Sequence, residues 1–224
     1  MIYKRLGDYI ELVNERNSEL QFGLPFVRGV SIQKKFIETK ANMSNVSLHN
    51  YKIVKKKQFA FNPNTSRNGD KLSIAMSHSS ELLVTSIYTV FQVKDLNQLL
   101  PEYLFLFFKR SEFDRYARFH SWGSARETFT WEDMCDLKIP IPSIDEQKKY
   151  LNISKGLIAN QKVYDDSFED LQLVCDTYIE NLIKTEKPKL LEEYIEKINE
   201  RNSELQFGLP FVRGVSIQKK FIET

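Results

Sequence analysis

The sequence predicts an α+β fold: a globular, mostly β domain with a few helices, followed by a long coiled-coil-forming helix. Strand-like apolar runs dominate residues 5–100. Apolar residues then recur every seven positions from residue 150 onward. The chain has 224 residues, 42% hydrophobic and 12% aromatic, which is enough for one domain with a sizeable core plus an appendage.

Three apolar runs in the first hundred residues predict strands. Residues 26–32 alternate at period two, residues 51–54 form a shorter candidate, and residues 82–91 are rich in β-branched and aromatic side chains. Residues 62–70 predict a loop, because they contain a proline and an Asn-Gly turn signal.

A buried helix is expected next. Pro101 suits the first helical position, and apolar residues continue from it through Phe113 and Tyr116. The Trp122-Gly123-Ser124 segment ends this helix. Residues 137–142 then predict a short terminal strand closed by proline.

The long helix is predicted over residues 143–188. Ser143 and Glu146 form a capping box at its start, and no proline interrupts the pattern before Pro188. About 40 residues of helix would span roughly 60 Å, so we expect pairing with another long helix, the alternative being a helix folded back on its own domain. The expected helix–helix interface consists of Tyr150, Leu157, Tyr164, Phe168, Leu171, Cys175, Tyr178 and Leu182.

A long internal repeat follows the helix. Residues 15–39 recur letter for letter as residues 200–224, and over residues 9–39 and 194–224, 29 of 31 positions are identical. We therefore expect residues 189–224 to be a partial repeat of residues 4–39, which suggests a recent duplication at the DNA level. Its apolar strand, residues 211–215, is expected either to hang loose as an orphan strand or to compete for the place of the first copy. We expect the first copy to keep its place.

Charge and cysteine content narrow the class of protein to which this chain can belong. Residues 1–142 hold 20 basic and 15 acidic side chains, whereas residues 143–224 hold 12 and 15. The basic first part weakly indicates a polyanionic partner, but charge alone favours the simpler interpretation, a solvated surface. The two cysteines, Cys135 and Cys175, exclude a disulfide framework, and the lack of a secretory signal or a membrane-spanning run predicts a cytoplasmic protein without membrane contact.

Recognised catalytic motifs are missing from the sequence. There is no Gly-rich phosphate loop and no Asp/Asn-Pro-Pro-Tyr/Phe adenine-methylation motif, and the three histidines are not spaced with the cysteines as metal ligands. Glu146-Gln147-Lys148 matches part of a nuclease motif, but helix capping already explains Glu146. We therefore expect a binding module with no catalytic residues, no metal site and no cofactor of its own.

Basic residues cluster beside polar and aromatic ones in loop-like stretches of the first domain. Arginine can pair bidentately with guanine or clamp phosphate, lysine acts as a point charge on phosphate, and a Gly-Ser pair permits close approach to a nucleic-acid backbone. The candidate DNA-binding residues are Arg28, Lys34, Lys35, Lys55, Lys56, Arg67, Lys71, Arg118, Trp122, Gly123, Ser124 and Arg126.

Three features of the sequence together resemble a known family. The Gly123-Ser124-Ala125-Arg126 loop, the Ile139-Pro140-Ile141-Pro142 segment and Glu146-Gln147 at the start of a long helix are similar to a passage of type I restriction–modification specificity subunits. Those proteins alternate target recognition domains with long helices. The resemblance makes residues 1–142 a target recognition domain and residues 143–188 a spacer and dimerisation helix, which together correspond to half a subunit.

The resemblance also implies a function. The domain would read one half of a split site in double-stranded DNA, and the helix would pair antiparallel, as a homodimer, to fix the half-site spacing. Modification subunits would methylate adenine with S-adenosylmethionine, and a restriction subunit using ATP and Mg would form the endonuclease complex. The alternatives are a coiled-coil interaction protein with a protein-binding head, or an inactive truncated remnant of a specificity subunit.

Overall fold

The computed structural model describes residues 3–39, 46–66, 70–78, 81–123, 126–185, 213–215 and 221–223. The chain divides into two compact units, Met1–Val163 and Tyr164–Thr224. Strands and helices are mixed in the first unit, which confirms the predicted α+β class.

The first unit is built on short antiparallel strands. The strands are β1 (Tyr3–Arg5), β2 (Ile10–Val13), β3 (Arg28–Val30), β4 (Phe36–Glu38), β5 (Lys52–Lys55), β6 (Phe59–Phe61), β7 (Ile74–Met76), β8 (Glu81–Val84), β9 (Thr89–Val93) and β10 (Lys138–Pro140). A four-stranded sheet has the order β2-β9-β6-β7, and the two-stranded pairs are β1–β10, β3–β4 and β5–β8.

Side-chain alternation places apolar residues on both faces of the four-stranded sheet. On one face, Phe59 stacks on Phe91 with ring centroids 4.9 Å apart, and both rings contact Phe108 of the helical layer. On the other face, Ala60 and Val90 join a second cluster that includes residues of β3, β5 and β8. The sheet therefore has a covered face on each side, which explains why β6, β7 and most of β9 are buried.

The helical layer consists of α1 (Pro101–Phe108), α2 (Ser111–Phe119) and α3 (Trp131–Asp136). Pro101 does occupy the start of α1. The expected single helix through Tyr116 is wrong, because α1 ends at Phe108 and α2 begins a new helix at Ser111. The break lets Phe108 and Phe113 both point into the same core, with ring centroids 4.7 Å apart.

Two of the predicted strands also differ from the structure. Residues 24–26 form a turn of 3₁₀-helix, so the first predicted strand shortens to β3. The run 82–91 is not one strand but parts of two, β8 and β9, joined by a turn in which the Tyr88 amide donates to the Thr85 carbonyl. The two strands belong to different sheets, so a single apolar run contributes one strand to each of them.

The long helix α4 (Ile144–Thr185) begins directly after β10. The predicted capping box forms: the Glu146 amide donates to Ser143 Oγ at 3.4 Å, and the Ser143 amide donates to Glu146 Oε2 at 3.3 Å. Gln147 is fully buried. Its Oε1 accepts from the Leu100 amide at 2.8 Å, while its Nε2 donates to the carbonyls of Gln98 and Pro142.

Beyond its first turn, α4 presents its apolar side chains to solvent. The residues of the predicted helix–helix interface are here called the seam. Its Tyr, Phe and Leu side chains range from 39% exposed, at Leu182, to 78% exposed, at Tyr164. Cys175 is also exposed. An exposed apolar stripe of this length is typical of a helix face that packs against another surface.

The described part of the second copy forms a hairpin of its own, β11 (Arg213–Val215) and β12 (Phe221–Glu223). Its register, Gly214 opposite Ile222, repeats that of Gly29 opposite Ile37 in the first copy. The expectation of an orphan strand is therefore wrong for these residues. Competition between the two copies stays a prediction, because the rest of residues 186–224 lies outside the described residues.

Candidate nucleic-acid interface

The loop between α2 and α3 is anchored at its base to a second loop. The Trp122 amide donates to the Thr128 carbonyl at 3.2 Å, and the Thr128 amide donates to the Trp122 carbonyl at 2.9 Å. The Thr65 amide and hydroxyl both donate to the Glu127 carbonyl. These bonds hold the described parts of residues 118–128, here called the recognition loop, against residues 63–65.

Gly123 is required by the geometry of this loop. Its φ of +143° is rarely adopted by other residues, and an added Cβ would lie 2.0 Å from the Arg126 carbonyl oxygen. The Gly123 backbone therefore lies directly against the Arg126 carbonyl group. A side chain at position 123 would push these two groups apart.

The recognition loop carries two exposed aromatic side chains. Phe119 is 70% exposed and Trp122 is 66% exposed, and their ring centroids are 6.3 Å apart. Exposed aromatic rings beside cations provide stacking surfaces for nucleic-acid bases. Trp122 is a predicted site residue, whereas Phe119 was missed, although its spacing of three residues from Trp122 at the end of an amphipathic helix could have indicated it.

The cations around these rings differ in their pairing. Arg118 donates to Glu127, which lowers the pKa of the Glu127 carboxyl and raises the pKa of the Arg118 guanidinium. Arg126 and Lys71 are exposed, and among the described residues no carboxylate lies within 4 Å of either charge. Lys71 and Arg118 line one small surface pocket, so the structure brings them together.

The prediction that Lys34 contacts DNA is wrong, because its side chain is only 7% exposed. Its ammonium donates to Asp114 and, at 3.0 Å, to the Leu72 carbonyl. The Leu72 amide also donates to the same Asp114 oxygen, at 3.1 Å. Burial lowers the pKa of Lys34, and the hydrogen bond that its ammonium donates to Asp114 opposes that shift. Lys34 therefore fastens the β3–β4 turn to α2.

The remaining described candidates lie apart from the recognition loop. Arg28 donates to the carbonyls of Pro25 and Val27, and Lys55 pairs with Glu15 at 2.7 Å. Lys56 is exposed in the turn after β5. Lys35 lines a second pocket, with Lys109.

Two predicted site residues, Arg67 and Ser124, lie outside the described residues. Within the described ranges, no group of three or more His, Cys, Asp or Glu side chains could hold a metal ion. Nor does any described helix combine the length and apolar character needed to cross a membrane.

Sequence comparison identifies the family. A family model described as "Type I restriction modification DNA specificity domain" matches residues 14–163, which is 150 of the 224 residues. The chain belongs to this family of specificity subunits. No curated protein matches it by sequence.

Solved structures share the fold at low identity. The HsdS subunit from Thermoanaerobacter tengcongensis aligns with a TM-score of 0.54 and 15% identity, over 84% of this chain and 51% of that one. A chain from a type I R-M system, studied for complex assembly and conformational transition, gives a TM-score of 0.50 and 12% identity, over 81% and 45%. The chain thus spans about half the length of the structures it matches.

Proposed function

We propose that the first unit reads one half of a split DNA target through the recognition loop. The observation that carries this proposal is the exposed Phe119–Trp122 ring pair on a loop that also bears the exposed Arg126, whose charge pairs with no carboxylate among the described residues. Arg126 would contact a base edge or a phosphate, Lys71 would contact phosphate, and the two rings would pack against the nucleic acid. Release of Arg118 from Glu127 would add a further cation at the interface.

The long helix would set the distance between two half-sites. Its exposed seam supports pairing with the α4 helix of a second copy, in antiparallel orientation. With layers formed by one a and one d position, Tyr150 would face Leu182 and Tyr164 would face Phe168. A homodimer of half-length chains would then present two recognition loops, as a full-length subunit does.

Catalysis would come from partner subunits. Modification subunits would dock on the complex and methylate adenine with S-adenosylmethionine, and a restriction subunit would use ATP and Mg to cut unmodified DNA. Family membership supports this assignment. The chain itself would recognise the DNA sequence and set the spacing between the half-sites, so the isolated chain should transfer no methyl group.

The first test is DNA binding by the full chain at several salt concentrations. A protein that contacts phosphates loses affinity steeply as salt increases. Arg126→Ala should weaken specific binding by about 1–3 kcal/mol if Arg126 contacts a base, and by less if it contacts phosphate. Lys148→Ala, which removes one exposed positive charge from α4, serves as the control. Unchanged affinity in Arg126→Ala would remove this residue from the interface.

The second test is purification with the modification subunit, followed by mapping of methylated adenines. A split, two-part target would support the proposal. Methylation without sequence preference, or no stable complex, would favour an inactive remnant. Absence of salt-dependent DNA binding would favour the coiled-coil interaction protein with a protein-binding head.

A further inference from the structure

A second pocket lies on the first unit, away from the recognition loop. It has a volume of about 350 Å³ and is formed by the β3–β4 turn, the end of β7 and the C-terminal part of α1. This volume is within the range of small-ligand sites. Its walls combine polar and apolar side chains, among them Lys35, His78, Lys109, Phe36, Met76 and Phe105.

Two ammonium groups of this pocket have no counter-charge among the residues that the structure describes. Within the described part of the chain, no carboxylate lies within 4 Å of Lys35 or Lys109, and none lines the pocket. Lys34 also lines it, but its charge is compensated by Asp114. The free positive charge therefore belongs to Lys35 and Lys109.

The two ammonium groups interact unfavourably in the free protein. Burial lowers the pKa of Lys109, and the nearby charge of Lys35 lowers it further. The Lys109 Nζ lies 4.6 Å from the centre of the Phe105 ring, on the apolar side of the pocket. Like charges held together in a partly desolvated site repel, and an anion bound between them would relieve that repulsion.

The shape of the site favours an anion attached to a flat or apolar body. Lysine ammonium groups bind phosphate as point charges. The exposed His78 ring packs edge-on against the buried Phe105, with centroids 6.4 Å apart, and offers a flat surface beside the cations. A simple inorganic anion would use only the charged half of this pocket.

We propose that Lys35 and Lys109 bind a phosphoryl group, with the exposed His78 ring contacting the sugar or base attached to it. The group can belong to the DNA backbone or to a free nucleotide. The DNA source rests on the proposed function and would place a second contact beyond the recognition loop. The nucleotide source is independent of it and would make the pocket a ligand site of its own.

The test uses the full chain and the double variant Lys35→Gln/Lys109→Gln. Its control is Lys148→Gln/Lys155→Gln, which makes the same charge change at two exposed positions of α4. The probes are inorganic phosphate, AMP and a random-sequence duplex, measured by calorimetric titration and by fluorescence anisotropy at several salt concentrations. Lys35→Arg/Lys109→Arg, which keeps both charges, should retain binding and so separates charge loss from misfolding.

The outcomes distinguish the two sources. If the pocket holds a backbone phosphate, the Gln variant binds the duplex about tenfold more weakly and its salt slope falls by about one, while AMP binds neither protein. If it holds a free nucleotide, AMP binding weakens tenfold or more and duplex binding is unchanged. Equal binding of all three probes by the Gln variant and its control would overturn the proposal. A wild-type chain that binds AMP but no DNA would refute the proposed function and leave the pocket as a nucleotide site.

Discussion

Phenylalanine has opposite environments in the two parts of this chain. Phe59, in β6, is completely buried between Phe91 and the helical layer, whereas Phe168, in α4, is 68% exposed. Phe59 shares one face of its strand with Phe61, and Phe168 belongs to the seven-residue pattern of α4. The pattern specifies which side chains share a face, but a packing partner decides whether that face is buried. The globular part contains its partner, whereas among the described residues most of α4 has none.

Gln147 connects the start of α4 to the globular part of the chain. It is the one described α4 residue that is buried, and its amide group bonds to the segment before α1 and to the residues before α4. The first turn of α4 therefore packs against the globular part, whereas the apolar side chains further along the helix are exposed. Five experiments can test this contrast.

The largest effect is expected from breaking the buried ion pair of the globular part. Lys34→Met would leave the Asp114 carboxylate buried without its counter-charge, and we expect a loss of about 3–5 kcal/mol in the free energy of unfolding. Urea denaturation would measure it. Lys35→Met, at the exposed neighbouring position, should change stability by no more than about 0.5 kcal/mol. Similar stabilities for the two variants would contradict the role of Lys34.

A charge in the seam of α4 should instead abolish self-association. Leu157→Asp/Leu171→Asp would place carboxylates in a helix–helix interface, and we expect dimerisation about a hundredfold weaker, equivalent to about 2.7 kcal/mol. Melting of the globular part should not change, because both leucines are exposed. Sedimentation would measure the dimer, with Lys155→Asp/Lys162→Asp, outside the seam, as the control.

Cysteine crosslinking tests the orientation of the same pair. In a parallel, in-register pair, Cys175 would face its own copy, and mild oxidation would link wild-type chains. In the proposed antiparallel pair, Cys175 faces Leu157, so crosslinking should require Leu157→Cys. A wild-type chain that stays monomeric at micromolar concentration, alone and with the modification subunit, would refute the helix pairing.

The same substitution at two sites of α4 compares its buried start with its exposed length. Gln147→Leu would leave the Leu100 amide and two carbonyls without their partners, and we expect a loss of about 1–3 kcal/mol. Gln161→Leu, in the exposed seam, should leave the unfolding free energy of the monomer nearly unchanged. Equal losses would mean that α4 is packed along its whole length.

The smallest effect concerns the exposed pair of the recognition loop. The hydrogen bond from Arg118 lowers the folded-state pKa of Glu127. The ion pair therefore stabilises the folded protein fully above the ordinary pKa of glutamate, and this stabilisation is lost as the pH falls through the lowered pKa. The melting temperatures of wild type and Glu127→Gln should therefore differ most above about pH 4.5 and converge at lower pH. A difference that persists in acid would contradict this pairing.

Local signals predicted the ends of elements better than their continuity. Pro101 and the Ser143–Glu146 box mark the helix starts where the structure has them. The break between α1 and α2 carries no proline or glycine, so the sequence offered no local reason to divide that run. The break serves the core, since Phe108 and Phe113 must both reach it.

The candidate site was predicted in part. The Gly-Ser-Ala-Arg segment indicated the recognition loop, and the structure adds Phe119 to it. Sequence also suggested Lys34, whose partner Asp114 is 80 residues away. No pattern of neighbouring residues could reveal that pairing. The Lys35–Lys109 pocket was missed for the same reason.

The sequence by itself determined what nearby residues can decide. The hairpin of residues 28–38 recurs with the same register at residues 213–223, so identical local sequence gives identical pairing at two places in the chain. Capping and the seven-residue seam of α4 are likewise local. The tertiary structure alone decided which charges are free, because a lysine is exposed or buried according to side chains that reach it from distant segments. Desolvation by those segments makes Lys34 part of the core and leaves Lys35, one residue later, available to bind.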